Sequence, residues 1–518
     1  MRTVIRGALL AALACAVAAC TSGPASPRSL PARSLSPSAP PSAPSALSSP
    51  PPAGTAVWPA FDRDAARAGV ATGLPAAGRL GVRWRARLDG AVYGQPLVVG
   101  DDVIAATEND SVYALNEATG AVVWRTHLGT PVPRSAQHGC GDIFPLGITG
   151  TPVYDQATGL VYAVAETAGY RYLLFGLSAA DGKVAVNRPI SLATSHNNPG
   201  YDQQRPALTI DGGRVYAAFG GLAGDCGPYV GAVAGIPVRG AGPQVTFWTP
   251  TSREGAIWGT GGPVVGPRGD LWISIGNGAA TSGGYDGSDS VTELSPALRR
   301  LGYFAPSTWA DDNANDLDLG STQPALTPGN TAFIMGKRGV GYLVSTADPG
   351  GIGHPLASRA VCRAFGAAAV DGATVYEPCN SGGLAAVVVN AAARAITLRW
   401  RGPADANGSP VVGGGAVWVT AYSKTGSGTL YELDPANGTV RQSISVGAVL
   451  PHFSSLSLAG GTAYVSTLDG VTAIAGALGI AAGSPQPAGA REMPGDRGPA
   501  VGADDRDGTP PSFHSDNG

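Results

Sequence analysis

The chain has 518 residues, 14% of them charged, and a formal net charge of -3. That balance excludes a polyanion-binding surface, so nucleic acid is not expected as a partner. With 76 Gly and 43 Pro, the composition favours many short strands joined by turns over long helices.

The first residues read as an export signal. Arg2 and Arg6 precede the apolar stretch GALLAALACAVAA, which is too short to span a bilayer as a mature helix. It ends in VAAC, small residues directly before Cys20, and is similar to a bacterial lipobox. Residues 1–19 are therefore expected to be a lipoprotein signal peptide, with Cys20 as the lipidated mature N-terminus. The protein would then be an extracytoplasmic, cell-membrane-anchored lipoprotein; an ordinary cleaved signal is the plain alternative. Residues 20–56 are Pro, Ser and Ala with almost no large apolar side chain, and read as a disordered tether. Residues 482–518 read as a disordered tail for the same reason.

Between them, residues 57–476 carry a repeat. VYALNEATGAVVW, residues 112–124, is a β-hairpin: a β-branched and aromatic run, a turn ending in Thr-Gly, and a second run ending in Trp124. One hairpin is marginal in water. The pattern Tyr113, Leu115, Gly120, Val122 recurs as Phe175, Leu177, Gly182, Val184 and as Tyr431, Leu433, Gly438, Val440, with degenerate copies at 291–302 and 341–353. A second hairpin precedes each copy, and its starts fall at Pro96, Pro152, Pro206, Pro263, Pro324, Ala368, Pro410 and Leu456. The intervals, roughly 56, 54, 57, 61, 44, 42 and 46 residues, suit four-stranded propeller blades. The eighth unit lacks a fourth strand, and residues 80–88, LGVRWRARL, are placed to supply it and close the ring. Trp84 and Trp124 then take equivalent places, with Trp248 and Trp400 as later counterparts. The expected fold is all-β, an eight-bladed β-propeller closed by an N-terminal strand; a pair of β-sandwiches is the alternative.

Cysteine usage agrees with an oxidising compartment. Cys15 lies in the signal and Cys20 is the lipid site, which leaves Cys140, Cys226, Cys362 and Cys379. Four cysteines allow three connectivities. Cys362 and Cys379 flank one strand pair, while Cys140 and Cys226 sit in Gly-rich loops, so the favoured pairs are Cys362–Cys379 and Cys140–Cys226. Zinc, the alternative, lacks close ligand spacing here.

The unit Y-A-L-x-x-x-T-G-x-x-x-W, its eightfold count and the closing Trp strand resemble the pyrroloquinoline-quinone-repeat β-propellers. The likeness is strongest to exported actinobacterial-type lipoprotein members, through YGQPLVVGDDVIAATENDSVYALNEATG, CGDIFPLGITGTPVYD, GSDSVTELSP, DLDLGSTQPAL and GKRGVGYLV. The resemblance fixes a fold more than a function, because quinone-dependent dehydrogenases and outer-membrane assembly scaffolds share it. For a dehydrogenase it implies pyrroloquinoline quinone and Ca2+ over the central channel and a carboxylate base. On that likeness Asn277 in SIGNGAATSGGYDGSDS and Lys337 in MGKRGVGYLV bind the cofactor, Asn277 also serving the metal. Asp312 and Asp316 in WADDNANDLDLGSTQP are candidate catalytic bases, and Asp311, Asn313 and Asp318 are further candidate Ca2+ ligands. Each has a simpler reading: Asn277 and Lys337 as turn residues, Asp318 as a loop-backbone acceptor.

Other family features are absent. There is no adjacent Cys-Cys pair and no Cys-x-x-Cys-His haem site, and GDCGPYVGAV puts Asp225 and Cys226 where the family carries an acid followed by Arg. The acidic run 311–318 begins like a calcium loop, but Asp316 stands where an EF-hand needs Gly and Thr322 where it needs Glu. The six histidines, 127, 138, 196, 354, 452 and 514, have no metal spacing and read as loop residues. The first expectation for function is accordingly a membrane-tethered, monomeric binding or scaffold module for an unknown protein or small molecule. The alternative is a quinone-dependent dehydrogenase oxidising an alcohol or sugar. In both, Asn277, Lys337 and at least one of Asp312, Asp316 and Asp318 should meet at one channel mouth, within a region on the order of 10 Å across.

Overall fold

The computed structural model describes residues 58–477 except 240, 241 and 424. The signal, Cys20, the tether and the C-terminal tail lie outside the described residues. The described chain forms eight sheets, here blades 1 to 8, in a β-propeller; each has four antiparallel strands, and blades 3, 4 and 7 carry a short fifth strand besides. Their first strands are Leu97–Val99, Val153–Asp155, Thr209–Asp211, Val264–Val265, Ala325–Thr327, Ala369–Asp371, Val411–Gly413 and Leu456–Ala459. Each begins within a few residues of the start read from the repeat. In blade 1 the first strand is wholly buried, whereas the fourth, Val122–His127, alternates toward solvent, as an edge strand does.

Closure is as expected. In blade 8 the strand Gly470–Ala477 pairs antiparallel with Arg79–Arg87, so the N-terminal strand is the outermost member of the last blade. This covers an edge that would otherwise template association.

The hairpin repeat has a physical cause. Gly120, Gly182 and Gly438 end their turns at φ +72, +69 and +74, a region that L side chains avoid. A Cβ at each would lie 2.6 Å from a Trp84 ring carbon, 2.5 Å from one of Trp124 and 2.4 Å from one of Trp400. Each indole belongs to the outer strand of the preceding blade and donates to a carbonyl just past the third strand of the next. Trp84 bonds to Glu117 at 2.9 Å, Trp124 to Ala179 at 2.9 Å and Trp400 to Pro435 at 2.9 Å. The Thr-Gly turn is thus the receptor for a neighbour's tryptophan. Trp248 is not a counterpart: it pairs with Ala232 at the start of its blade's third strand and lines a separate surface cavity.

The core lies between blades rather than at one centre. Between blades 1 and 2, for instance, Leu97, Ile104 and Ala114 meet Tyr154, Val161, Ala163 and Phe175. Fully burying one large apolar side chain contributes about 1.5–3 kcal/mol, so each such wedge locks a neighbouring pair.

Residues 58–71 have no counterpart in the sequence reading. Trp58 bridges Val98 of blade 1, and Pro59 accepts from Tyr154 of blade 2 at 2.8 Å. The Arg67 guanidinium donates to the Leu208 carbonyl at 2.8 Å beside blade 3. Ala65 and Ala68 accept from Val265 and Val370, both at 2.8 Å, and Val70 pairs with Val412. The segment therefore stitches first strands of six blades, filling the channel.

Candidate functional site

The loops that follow the second strand of each blade, and the connections between blades, meet at one mouth of the channel. There they line a cavity of about 270 Å³ whose walls include Asp225, Trp258, Asn277, Asp316, Asp318 and Lys337. Asn277 comes from the hairpin of blade 4, Lys337 from that of blade 5, and Asp316 and Asp318 from the connection between these blades.

Asp318 is the junction. Its Oδ2 lies 2.6 Å from Lys337 Nζ, and its Oδ1 accepts the Asn277 backbone N–H at 2.5 Å. Its side chain is 3% exposed. Lys337 also meets Asp316 Oδ1 at 2.6 Å, and there the carboxylate is 65% exposed. Burial works against the Lys337 charge, but Asp318 and then Asp316 outweigh it and hold the ammonium above its ordinary range. Burial, followed by the charge of Asp318, raises Asp316 from the usual carboxyl range despite Lys337. The Asn277 side-chain amide also lies against the Asp318 carboxylate, its nitrogen placed to donate to it.

The remaining sequence candidates lie elsewhere. Asp311 and Asp312 sit in the short helix Trp309–Ala314, and both carboxylates are taken by Arg338. Asp312 further accepts from Thr308 Oγ1 at 2.8 Å. Asn313 holds the blade 4 loop, accepting from Gly278 N at 2.7 Å and donating to the Ala280 carbonyl at 2.6 Å. Each of the four carboxylates of the acidic run is thus paired with one of two adjacent cations, Lys337 and Arg338. Among the described residues no group of three His, Cys, Asp or Glu side chains is arranged to hold a metal ion.

The second half of the cavity was not foreseen. It is lined by Asp142, Arg205, Asp225, His452 and Phe453. Burial raises the Asp225 carboxyl although Tyr229 donates to it at 2.5 Å. Burial, then Arg205, lowers His452 to about 4 and keeps it neutral. A ladder of rings forms one wall: Trp258 lies 6.2 Å from Phe365 and 6.0 Å from Phe453. The acid and the cation that the motif comparison placed in doubt are both present in space, as Asp225 and Arg205, but come from different elements. One signal could have found Arg205. Residues preceding the first strands, Gln95, Thr151, Arg205, Gln323 and Ser409, all stand before the repeat proline, and Arg205 is the charged one.

The cysteines pair as Cys140–Cys226 and Cys362–Cys379. The first ties the long connection between blades 1 and 2 to the blade 3 loop that bears Asp225. The two segments it ties contribute Asp142 and Asp225 to the cavity wall. Both disulfides fit an oxidising compartment.

Comparison with known proteins agrees with this architecture. Residues 75–224 match the family model described as outer membrane protein assembly factor BamB. A polyvinylalcohol dehydrogenase from Pseudomonas sp is 42% identical over 60 residues, which spans 12% of this chain and only 9% of that protein. Among solved structures, the quinohemoprotein alcohol dehydrogenase from Comamonas testosteroni aligns over 83% of this chain and 81% of its own, with TM-score 0.60 and 14% identity. A europium-containing methanol dehydrogenase aligns over 80% and 97%, with TM-score 0.60 and 13% identity. BamB from Moraxella catarrhalis aligns over 76% and 97%, with TM-score 0.52 and 14% identity. The sequence match over the first blades and these shared folds together support a pyrroloquinoline-quinone-repeat β-propeller.

Proposed function

We propose that the channel-mouth cavity is the cofactor and substrate site of a quinone-dependent dehydrogenase acting on an alcohol. The observation that carries this reading is Asp318: a buried carboxylate held by Lys337 and Asn277 at the wall of a cavity beside Trp258. The residues suit a planar anionic quinone. Asp318 is held by Lys337 and by the Asn277 backbone and amide N–H groups, and among the described residues no cluster of side chains is arranged to hold a divalent cation beside it. Lys337 offers N–H donors to an oxygen at the ligand's edge, and Trp258 and Phe365 offer ring faces. When bound, the quinone supplies the electron acceptor. Asp318 receives the substrate's hydroxyl proton, and Asp316 balances Lys337.

The test is reconstitution of the purified chain with the quinone and Ca2+, followed by dye-linked oxidation of alcohols and aldoses. Absence of quinone binding by absorbance would leave the other reading, a binding or scaffold module, which the match of residues 75–224 to the assembly-factor model favours. In either case we infer attachment to the outer face of a membrane through lipid on Cys20. Cys20→Ala should then release the protein from the membrane fraction.

A further inference from the structure

We propose that a second cavity, on the rim between blades 2 and 3, binds a neutral saccharide through Trp248. The site is separate from the channel mouth and stands whether or not that mouth holds a quinone.

Trp248 is released from the role its repeat counterparts play. Trp84, Trp124 and Trp400 are 8% exposed, dock on the following blade and donate their indole N–H groups to carbonyls. In blade 3 it is Phe247 that packs toward blade 4, in the cluster that holds Leu298. Leu298, at φ +58, is the left-handed residue of the blade 4 turn, where blades 1, 2 and 7 carry Gly. Trp248 is therefore not used to lock blades 3 and 4. It packs back against the core between blades 2 and 3 and stays half-buried. Among the described residues its Nε1 has no hydrogen-bond partner, and it is open to solvent.

The cavity it lines is about 450 Å³. Trp248 and Val230 supply the apolar surface, and the polar part is hydroxyl, from Thr194, Thr249, Thr251 and Ser252. Thr194 Oγ1 accepts from the His196 and Asn197 N–H groups at 3.2 and 3.1 Å, so its own O–H is left to donate. Thr251 donates to the Glu254 carbonyl at 3.2 Å, so Thr249, 3.1 Å from Thr251, donates to it and keeps its lone pairs free. Donors at Trp248 and Thr194 and an acceptor at Thr249 thus surround one aromatic face.

That chemistry selects the occupant. None of the lining residues is Lys, Arg, Asp or Glu, so an ion entering here would lose water without gaining a counter-charge. A wholly apolar molecule would cover the free donors and leave them unpaired. A neutral pyranose meets both demands: its C–H face packs on the indole while its hydroxyls exchange bonds with the threonines. The walls are also fixed in advance. Gln244 accepts from Ser191 N at 3.0 Å and donates to the Ser191 carbonyl at 2.9 Å, clasping the segment after blade 2 to blade 3. Asn197 donates to the Leu192 carbonyl at 3.0 Å and accepts from Val230 N at 2.7 Å. A site held in this way loses little freedom on binding.

The experiment titrates the intact purified chain by calorimetry with maltose, cellobiose and N,N′-diacetylchitobiose. At least one should bind with a millimolar dissociation constant, and about tenfold more tightly than glucuronate or cyclohexanemethanol, the charged and apolar controls. Trp248→Ala should weaken that sugar about tenfold. Trp248→Phe, which keeps a ring face and loses the N–H, should weaken it about threefold. Asp318→Asn should leave it unchanged. On the unmodified chain, an arm that needs no variant to fold, saturation-transfer NMR should label the C–H hydrogens of one pyranose face most strongly. Absence of binding by all three sugars, affinity that survives Trp248→Ala, or even labelling around the ring overturns the proposal. Binding lost in Asp318→Asn and kept in Trp248→Ala would place the sugar at the channel mouth and overturn it as well. Failure of dye-linked turnover with saccharide binding intact would remove the dehydrogenase reading alone.

Discussion

The tryptophan-on-glycine contact allows a matched test of what holds the blades together. Gly182 and Gly159 both adopt φ +69. A Cβ at Gly159 meets nothing within 4 Å, whereas at Gly182 it would lie 2.5 Å from Trp124 and 2.7 Å from Thr126 Oγ1. Gly159→Ala should therefore cost only the backbone penalty of a left-handed L residue, about 1–2 kcal/mol. Gly182→Ala adds displacement of Trp124, a residue 8% exposed whose indole bonds to Ala179 at 2.9 Å. Overpacking costs about 1–3 kcal/mol and the lost hydrogen bond about 1 kcal/mol more. The expected total is roughly 3–6 kcal/mol. Urea unfolding followed by circular dichroism, with m compared between variants, measures both. Gly438→Ala should behave like Gly182→Ala. Equal destabilisation at 159 and 182 would refute the docking argument and reduce the Thr-Gly repeat to turn propensity.

Other consequences can be checked as directly. Asp318→Asn should abolish quinone-supported turnover, whereas Asp316→Asn, at a carboxylate 65% exposed, should lower it only about threefold when reconstituted activity is compared. Cys140→Ser with Cys226→Ser opens a staple across 86 residues and should make residues 128–152 the first site of limited proteolysis, while the pair closing 17 residues, Cys362–Cys379, should matter less to global stability. Burial pushes Glu377 up to about 8, so the folded state holds a proton that the unfolded chain releases near the ordinary carboxyl value. Its contribution is present in acid and fades as pH rises toward 8, by about 1.4 kcal/mol per pH unit. Glu377→Gln should remove one proton's worth of that slope in unfolding experiments between pH 5 and pH 8; an unchanged slope would argue against a buried, protonated Glu377.

The fold was legible because its repeat records a constraint that acts in blades 1, 2 and 7 alike. A Gly at positive φ beneath a neighbour's Trp is forced locally, and so it recurs at Gly120, Gly182 and Gly438 in constant phase. The closing strand was legible because Trp84 carries the same mark. Trp248 shares the residue type without the receptor, and residue type alone could not separate it from the others. The channel-filling segment 58–71 left no periodic trace. It bonds once or twice to each of several blades, so no position in it obeys a repeat.

The site divides along the same line. Asn277 and Lys337 follow equivalent hairpins, so their convergence on Asp318 follows from phase once the ring is known. Composition misled at Asp311, Asp312 and Asn313, where six oxygen-bearing side chains in eight positions suggested a cation. Their charge is met by Arg338, twenty-six residues beyond Asp312, and only the return of the blade 5 hairpin brings it there. Arg205 shows the converse. A missing motif arginine in blade 3's loop suggested a missing cation, yet a cavity lined by eight stretches of chain can take its charge from any of them. The guanidinium over Phe453 and the carboxyl of Asp225 come from two different segments. A linear motif tests for residues in one element, while ligand chemistry is satisfied by residues at one place. In a propeller the two coincide only where the hairpin phase is shared.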